Sequence, residues 1–157
     1  MKIIFLSLSL FFMGPQSGAP TFDQNGVQHQ PEQPGAALTI LDFAACWCKP
    51  CWKALPRLQD LAENRPELNI LVISQDEKPA GRDKLVKKLG LTMPVVWDED
   101  HIWARKYQPE AMPTTMIVDK NGKILYSHGG SSAKDWEEFL DALERIEEAR
   151  KDLPRGG

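Results

Sequence analysis

Leu41-Asp42-Phe43-Ala44-Ala45-Cys46-Trp47-Cys48-Lys49-Pro50-Cys51 is the stretch where an apolar run gives way to a Cys-x-x-Cys pair. Upstream, residues 36 to 43 are mostly apolar, include Thr39 and Ile40, and have the length of a strand buried on both faces. Downstream, Leu55, Leu58, Leu61 and Ala62 recur at helical spacing until Asn64-Arg65-Pro66 ends the pattern. The two thiols therefore sit where a central strand hands over to a helix. Spacing alone would also suit half a zinc site or a structural bridge; the strand-to-helix position is what points to redox work.

That position has chemical content. Unpaired backbone N–H groups and the positive end of the helix dipole favour a thiolate at Cys48, and Lys49 adds a positive charge beside it. Moving a thiol from its reference pKa near 8.5 to about 7 takes roughly 2 kcal/mol, which a helix end with its hydrogen bonds supplies without a metal.

The chain of 157 residues is one domain's worth, without internal repeats. Its net charge of -3 and pI near 5.6 argue against a nucleic-acid partner, which calls for a basic footprint. Lys2, the apolar run from Ile3 to Met13, Gly14-Pro15 and Ser17-Gly18-Ala19 read as a secretory signal peptide over residues 1–19, with the folded domain at 20–157. The run is shorter than the roughly 20 apolar residues of a membrane span, and no cysteine follows it to carry a lipid. Pro20 disfavours cleavage directly before it, so the mature start stays open. The expectation is a periplasmic or otherwise extracytoplasmic domain with no stable membrane insertion after cleavage. In that oxidising setting a dithiol reductant must be recharged by a partner.

Residues 20 to 35 form a Pro- and Gln-rich lead-in with a turn signal at Asn25-Gly26 and room for a short hairpin. Leu68 to Ile73 reads as a second buried strand, Arg82 to Leu89 as a helix closed by Gly90, Pro94 to Trp97 as a short strand, and His101 to Tyr107 as a brief helix. Thr114–Asp119 and residues 123–127 flank Lys120-Asn121-Gly122, a hairpin signal whose Asn-Gly pair suits a tight turn. The last helix runs from Ala133 to Arg150, with Trp136, Phe139, Leu140, Leu143 and Ile146 on one face and Ser132 as its cap opposite Asp135. The fold class is α/β: a central mixed sheet flanked by helices.

With these motifs in order, the chain resembles the thioredoxin fold, and within it the exported TlpA/ResA group of thiol-disulfide oxidoreductases. The resemblance rests on residues 42–51 with Pro56 in the helix, and on Met112-Pro113-Thr114-Thr115 leading into Ile117-Val118-Asp119 and Asn121-Gly122. It covers about residues 36 to 147. It implies a TlpA-type insert between the Cys-x-x-Cys helix and the proline loop, including Leu89-Gly90-Leu91 and Pro94 to Asp98. Ala44, Pro109 and Ala111 depart from the group's usual residues, and the N-terminal hairpin is abbreviated.

The resemblance implies that Cys48 is the attacking thiol and Cys51 the resolving one, with Asp42 relaying a proton to or from Cys51. Pro113 is expected to be cis and, with Trp47, Met112 and Thr114, to form the substrate groove. It implies protein dithiol or disulfide partners, an upstream membrane electron donor, no metal, and no cofactor beyond the Cys48–Cys51 disulfide. Lys49-Pro50 and Thr114 resemble the reducing members, which serve cytochrome c maturation or metal-centre assembly; a dithiol oxidase or isomerase is the first alternative. A second is a copper chaperone using Cys46, Cys48 and Cys51, and a third a noncatalytic interaction domain. A peroxidase reading is weaker, because the Pro-x-x-x-Thr-x-x-Cys setting is absent. Cys46 otherwise reads as a small filler, and His29, His101 and His128, lacking ligand spacing, as surface residues.

Overall fold

The computed structural model describes residues 21–30 and 36–151, so the expected signal peptide lies outside the described residues. The chain order is β1 (Thr21–Phe22), β2 (Gln28–His29), β3 (Leu38–Ala44), α1 (Cys51–Asn64), β4 (Asn69–Ser74) and α2 (Pro79–Leu89). It continues with β5 (Val95–Trp97), α3 (Ile102–Tyr107), β6 (Thr114–Asp119), β7 (Ile124–Gly129) and α4 (Ala133–Lys151). A five-stranded mixed sheet has the order β5-β4-β3-β6-β7, parallel from β5 to β3 and antiparallel from β3 to β7. Among the described residues no helix is long and apolar enough to cross a membrane.

β3 is central because its residues suit burial on both faces. Ile40 points to the side where Leu55 and Leu58 of α1, Leu85 of α2, and Phe139 and Leu143 of α4 pack. Leu41 and Phe43 point to the other side, against Trp103 and Tyr107 of α3. Each such side chain contributes roughly 1.5–3 kcal/mol when fully buried, which holds the three helices on one face and α3 on the other. The β1–β2 hairpin closes the far edge: Gln24 Nε2 donates to the Met93 carbonyl at 3.0 Å and the Val95 N–H donates to Gln24 Oε1 at 2.8 Å.

Element types match the sequence reading, and the boundaries differ for local reasons. β3 begins at Leu38 rather than at residue 36. α2 starts at Pro79, a turn before Arg82, because a proline in the first turn needs no partner for its missing N–H. The β6–β7 connection is looser than a two-residue turn. Only Gly122 has a positive φ, 75°, and Asp119 Oδ1 accepts the N–H groups of Asn121 and Lys123 at 2.8 and 3.0 Å. Ser132 and Asp135 cap α4 reciprocally, through Asp135 N–H to Ser132 Oγ at 3.1 Å and Ser132 N–H to Asp135 Oδ2 at 2.7 Å.

At the end of β4 the chain packs against α2 so closely that Gly81 is required. A Cβ there would lie 2.4 Å from Asp76 Cγ, and Asp76 is buried and held by the Ser74 hydroxyl at 2.8 Å. Gly to Ala in a helix normally stabilises by up to about 1 kcal/mol. Gly81→Ala is instead expected to destabilise, by roughly 1–3 kcal/mol of overpacking, as read from denaturant midpoints.

Candidate active site

The turn between β3 and α1 is fixed by side chains from elsewhere in the fold. Asp76, beyond the end of β4, accepts the Cys46 N–H with both carboxylate oxygens at 3.0 and 3.1 Å. Trp52 of α1 donates its indole N–H to the Cys46 carbonyl at 2.9 Å. The Cys48 N–H then closes onto the Ala45 carbonyl at 3.1 Å, and α1 begins after Pro50 without a side-chain cap.

Cys48 and Cys51 are joined by a disulfide, with Cα atoms 5.4 Å apart. The Cys51 N–H, at the start of α1, is shared between the Cys48 carbonyl at 3.1 Å and Cys48 Sγ at 3.3 Å. Cys48 is 5% exposed and Cys51 is fully buried, so of the two residues only Cys48 reaches the surface at all. Lys49 and Pro50 are exposed, and Trp47 stands out at 61% exposure. Pro56 lies inside α1, as the sequence reading placed it.

The Met112–Pro113 peptide is cis. Half-buried Met112 packs against the same cluster as Cys48 and Cys51, which brings the two distant motifs together. The Pro113 carbonyl accepts the Gly130 N–H at 3.0 Å. Thr114 is buried and donates its hydroxyl to the Ala111 carbonyl at 2.7 Å, so it braces the loop from within.

Asp42 lies mid-strand on the α1 side of β3, between Ile40 and Ala44, whose side chains belong to the cluster that contains both cysteines. It is buried; Thr115 Oγ1 donates to Oδ2 at 2.7 Å, and among the described residues Oδ1 has no hydrogen-bond partner and no cation pairs with the carboxylate. Burial raises its pKa to about 7, against the opposing pull of the Thr115 hydroxyl. A carboxyl that titrates there suits proton exchange with a thiol. It also lines a cavity of about 20 Å³ that extends toward Arg57, His128 and Asp135, room for about one water.

Cys46 is half-buried, and burial together with the Asp76 carboxylate pushes its thiol above the usual value, so it keeps its proton at neutral pH. Among the described residues no group of three or more His, Cys, Asp or Glu is placed to hold a metal ion. Surface placement holds for His101, which is exposed and meets Gln75 Oε1 through Nδ1 at 2.8 Å. It fails for His29, whose side chain is 12% exposed and pairs with Asp23 at 2.9 Å; the His128 side chain, 34% exposed, reaches the surface and pairs with Asp135 at 2.9 Å. The acids lie six and seven positions from their histidines, across a hairpin and a strand-to-helix turn, so no periodic pattern announces them. Asp76 escaped the sequence reading for a similar reason, since its partner lies 30 positions away.

A thioredoxin fold that sets a Cys-x-x-Cys disulfide at a helix start, with a cis-proline loop packed beside it, defines a thiol-disulfide oxidoreductase. The chain belongs to the AhpC/TSA family, whose profile matches residues 15–127. It is 30% identical over 135 residues to the thiol-disulfide oxidoreductase ResA of Geobacillus thermodenitrificans (strain NG80-2), covering 83% of this chain and 76% of that one. Solved structures share the fold. StoA from Bacillus subtilis matches with a TM-score of 0.66 at 22% identity, over 78% of this chain and 95% of that chain. A secreted Mycobacterium tuberculosis disulfide oxidoreductase homologous to E. coli DsbE also matches at 0.66, with 19% identity over 80% and 95% of the two chains.

Asp42 also makes stability depend on pH. An unfolded aspartate titrates near 3.8 and the folded one near 7, so between these values the folded state holds a proton that the unfolded state has released. Stability therefore falls as pH rises through that window. Asp42→Asn should match the wild type near pH 4 and exceed it above pH 7, by up to about 4 kcal/mol, in urea titrations across pH.

Proposed function

We propose that this protein works outside the cytoplasm as a reductant of specific protein disulfides, with Cys48 as nucleophile, Cys51 as resolving thiol and Asp42 as proton relay. The observation that carries this reading is the asymmetry of the couple: the Cys51 N–H points at Cys48 Sγ at 3.3 Å, while Cys51 itself is fully buried. The first sulfur is thus the one whose thiolate the helix start stabilises, and the second is withheld from outside partners.

In the reduced protein the Cys48 thiolate attacks one sulfur of a partner disulfide. A Cys48–partner bond forms, and the partner's other sulfur leaves as a thiolate. Cys51 gives its proton to the Asp42 carboxylate and attacks Cys48 Sγ. The Cys48–Cys51 disulfide forms and the second partner thiolate departs, so two electrons pass from the protein to its partner. Trp47 and the Met112-Pro113 segment flank the thiols as the groove for an extended chain, with Thr114 bracing the loop. The couple needs no bound cofactor; a membrane donor upstream restores the dithiol.

An extracytoplasmic site is supported by the segment from Lys2 to Ala19 and by the likeness to a secreted oxidoreductase. Lys49-Pro50 and Thr114, which resemble the reducing members of the TlpA/ResA group, support the reducing direction, in cytochrome c maturation or metal-centre assembly.

Cys51→Ala is expected to accumulate a covalent Cys48–partner adduct visible on a non-reducing gel; turnover by that variant without any adduct would refute the assigned roles. Equilibration with glutathione or dithiothreitol buffers should place the couple near the thioredoxin value of about -270 mV, whereas a value near -120 mV would make the protein a dithiol oxidase.

A further inference from the structure

Asp42, Thr115 and His128 stand directly opposite one another across β3, β6 and β7. Residues so paired share a face of the sheet, here the face covered by α1 and α4. The row runs from the buried centre to the edge strand, and solvent access grows along it: Asp42 is buried, Thr115 and His128 half-buried. Its outer end meets Asp135 in the first turn of α4, with His128 Nε2 2.9 Å from Asp135 Oδ1. Neighbouring strands lie about 4.8 Å apart, so Asp42 and His128 are about 10 Å from each other, too far for direct transfer and short enough for one hydroxyl and one water. Both are present in form: the Thr115 hydroxyl bonds Asp42 Oδ2 at 2.7 Å, and the small cavity lined by Asp42, Thr115, His128 and Asp135 has room for a water. Asp42 lines that cavity, and its buried Oδ1 has no hydrogen-bond partner among the described residues.

We propose that this cross-strand row is the route by which the proton taken up by Asp42 leaves the core, with the His128–Asp135 pair as its outlet to solvent. The proposal rests on the role of Asp42 given above. As Cys51 attacks, its proton moves to the Asp42 carboxylate and in the same step is drawn on through the cavity water to the His128 imidazole, from where it reaches solvent, so the rate of the Cys51 attack depends on the outlet. The other charged group at the cavity is Arg57 of α1, whose Nη1 is engaged by the carbonyls of Ser131 and Ser132 at 3.4 and 3.2 Å. Tyr126 stacks on His128 from the same strand, with centroids 6.4 Å apart. His128 acts only through Asp42 and touches neither thiol's partner, so it is a positioning residue.

The test uses the reduced full chain carrying Cys46→Ser, mixed with Ellman's reagent. The first release of nitrothiobenzoate reports attack by Cys48 and the second reports attack by Cys51. His128→Ala is expected to slow the second phase roughly tenfold, within the usual reach of a positioned proton-transfer group, leave the first unchanged, and regain speed with added imidazole. Combined with Asp42→Asn, it should be no slower than Asp42→Asn alone. If Asp42→Asn slows the second phase while His128→Ala does not, the outlet is refuted and the role of Asp42 stands. If Asp42→Asn leaves the second phase unchanged, the role of Asp42 falls and the outlet with it. Equal slowing of both phases by His128→Ala, without imidazole rescue, would make the histidine a structural prop and refute the outlet. Should that variant fail to fold, Asp135→Asn, which retains a capping side chain for α4, is read the same way.

Discussion

Asp76 grips the backbone N–H of Cys46 with both carboxylate oxygens, and the geometry of the thiols depends on this contact. It is available because β3 and β4 run parallel with Ala44 opposite Ser74, so their C-terminal ends lie side by side and the chain leaving β4 reaches the chain leaving β3. The Gln75 N–H, donated to the Ala44 carbonyl at 2.8 Å, ties the same two ends together. Gly81 leaves the space that the carboxylate fills. A buried N–H without a partner would cost about 1–3 kcal/mol, and here it would sit at the point where the strand turns into the redox helix. With Cys46 held from β4 and from the Trp52 indole, the chain enters α1 with Cys48 at the helix start.

The helix start and the sheet interior then treat negative charge in opposite ways. At Cys48 the positive end of the α1 dipole and the shared Cys51 N–H at 3.3 Å favour negative charge. At Asp42 the surrounding Ile40, Ala44 and Leu58 disfavour it, and the Thr115 hydroxyl offsets only part of the cost of burial. The same desolvation that brings the carboxyl to about 7, into the range useful for a thiol, makes the fold less stable as that carboxyl ionises.

Much of this was legible in the residue order. A strand buried on both faces announces itself as a continuous apolar run, and the amphipathic α1 and α4 as helical spacing of leucines and aromatics. The reciprocal Ser132–Asp135 cap was readable because its two groups are close in sequence. Boundaries set by backbone chemistry were harder: Pro79 starts α2 a turn before any apolar pattern begins, and Asp119 loosens a hairpin that Asn121-Gly122 alone would make tight.

The sequence by itself determined the order of strands and helices, the Cys-x-x-Cys couple at a strand-to-helix junction, and the proline loop that resembles the same class of protein. These depend on short-range periodicity and on residues within a few positions of each other. Only the tertiary structure decided what surrounds the thiols: that Asp76 pins Cys46, that Asp42 is buried beside Thr115 with no ion-pair partner among the described residues, and that His128 is paired at the end of a polar row. Those facts depend on parallel and antiparallel register between strands far apart in the chain, and register decides which side chains meet while leaving no trace in local spacing. The Cys48–Cys51 motif is read from four residues, but the environment around its two sulfurs is assembled from strands and helices far apart in the chain.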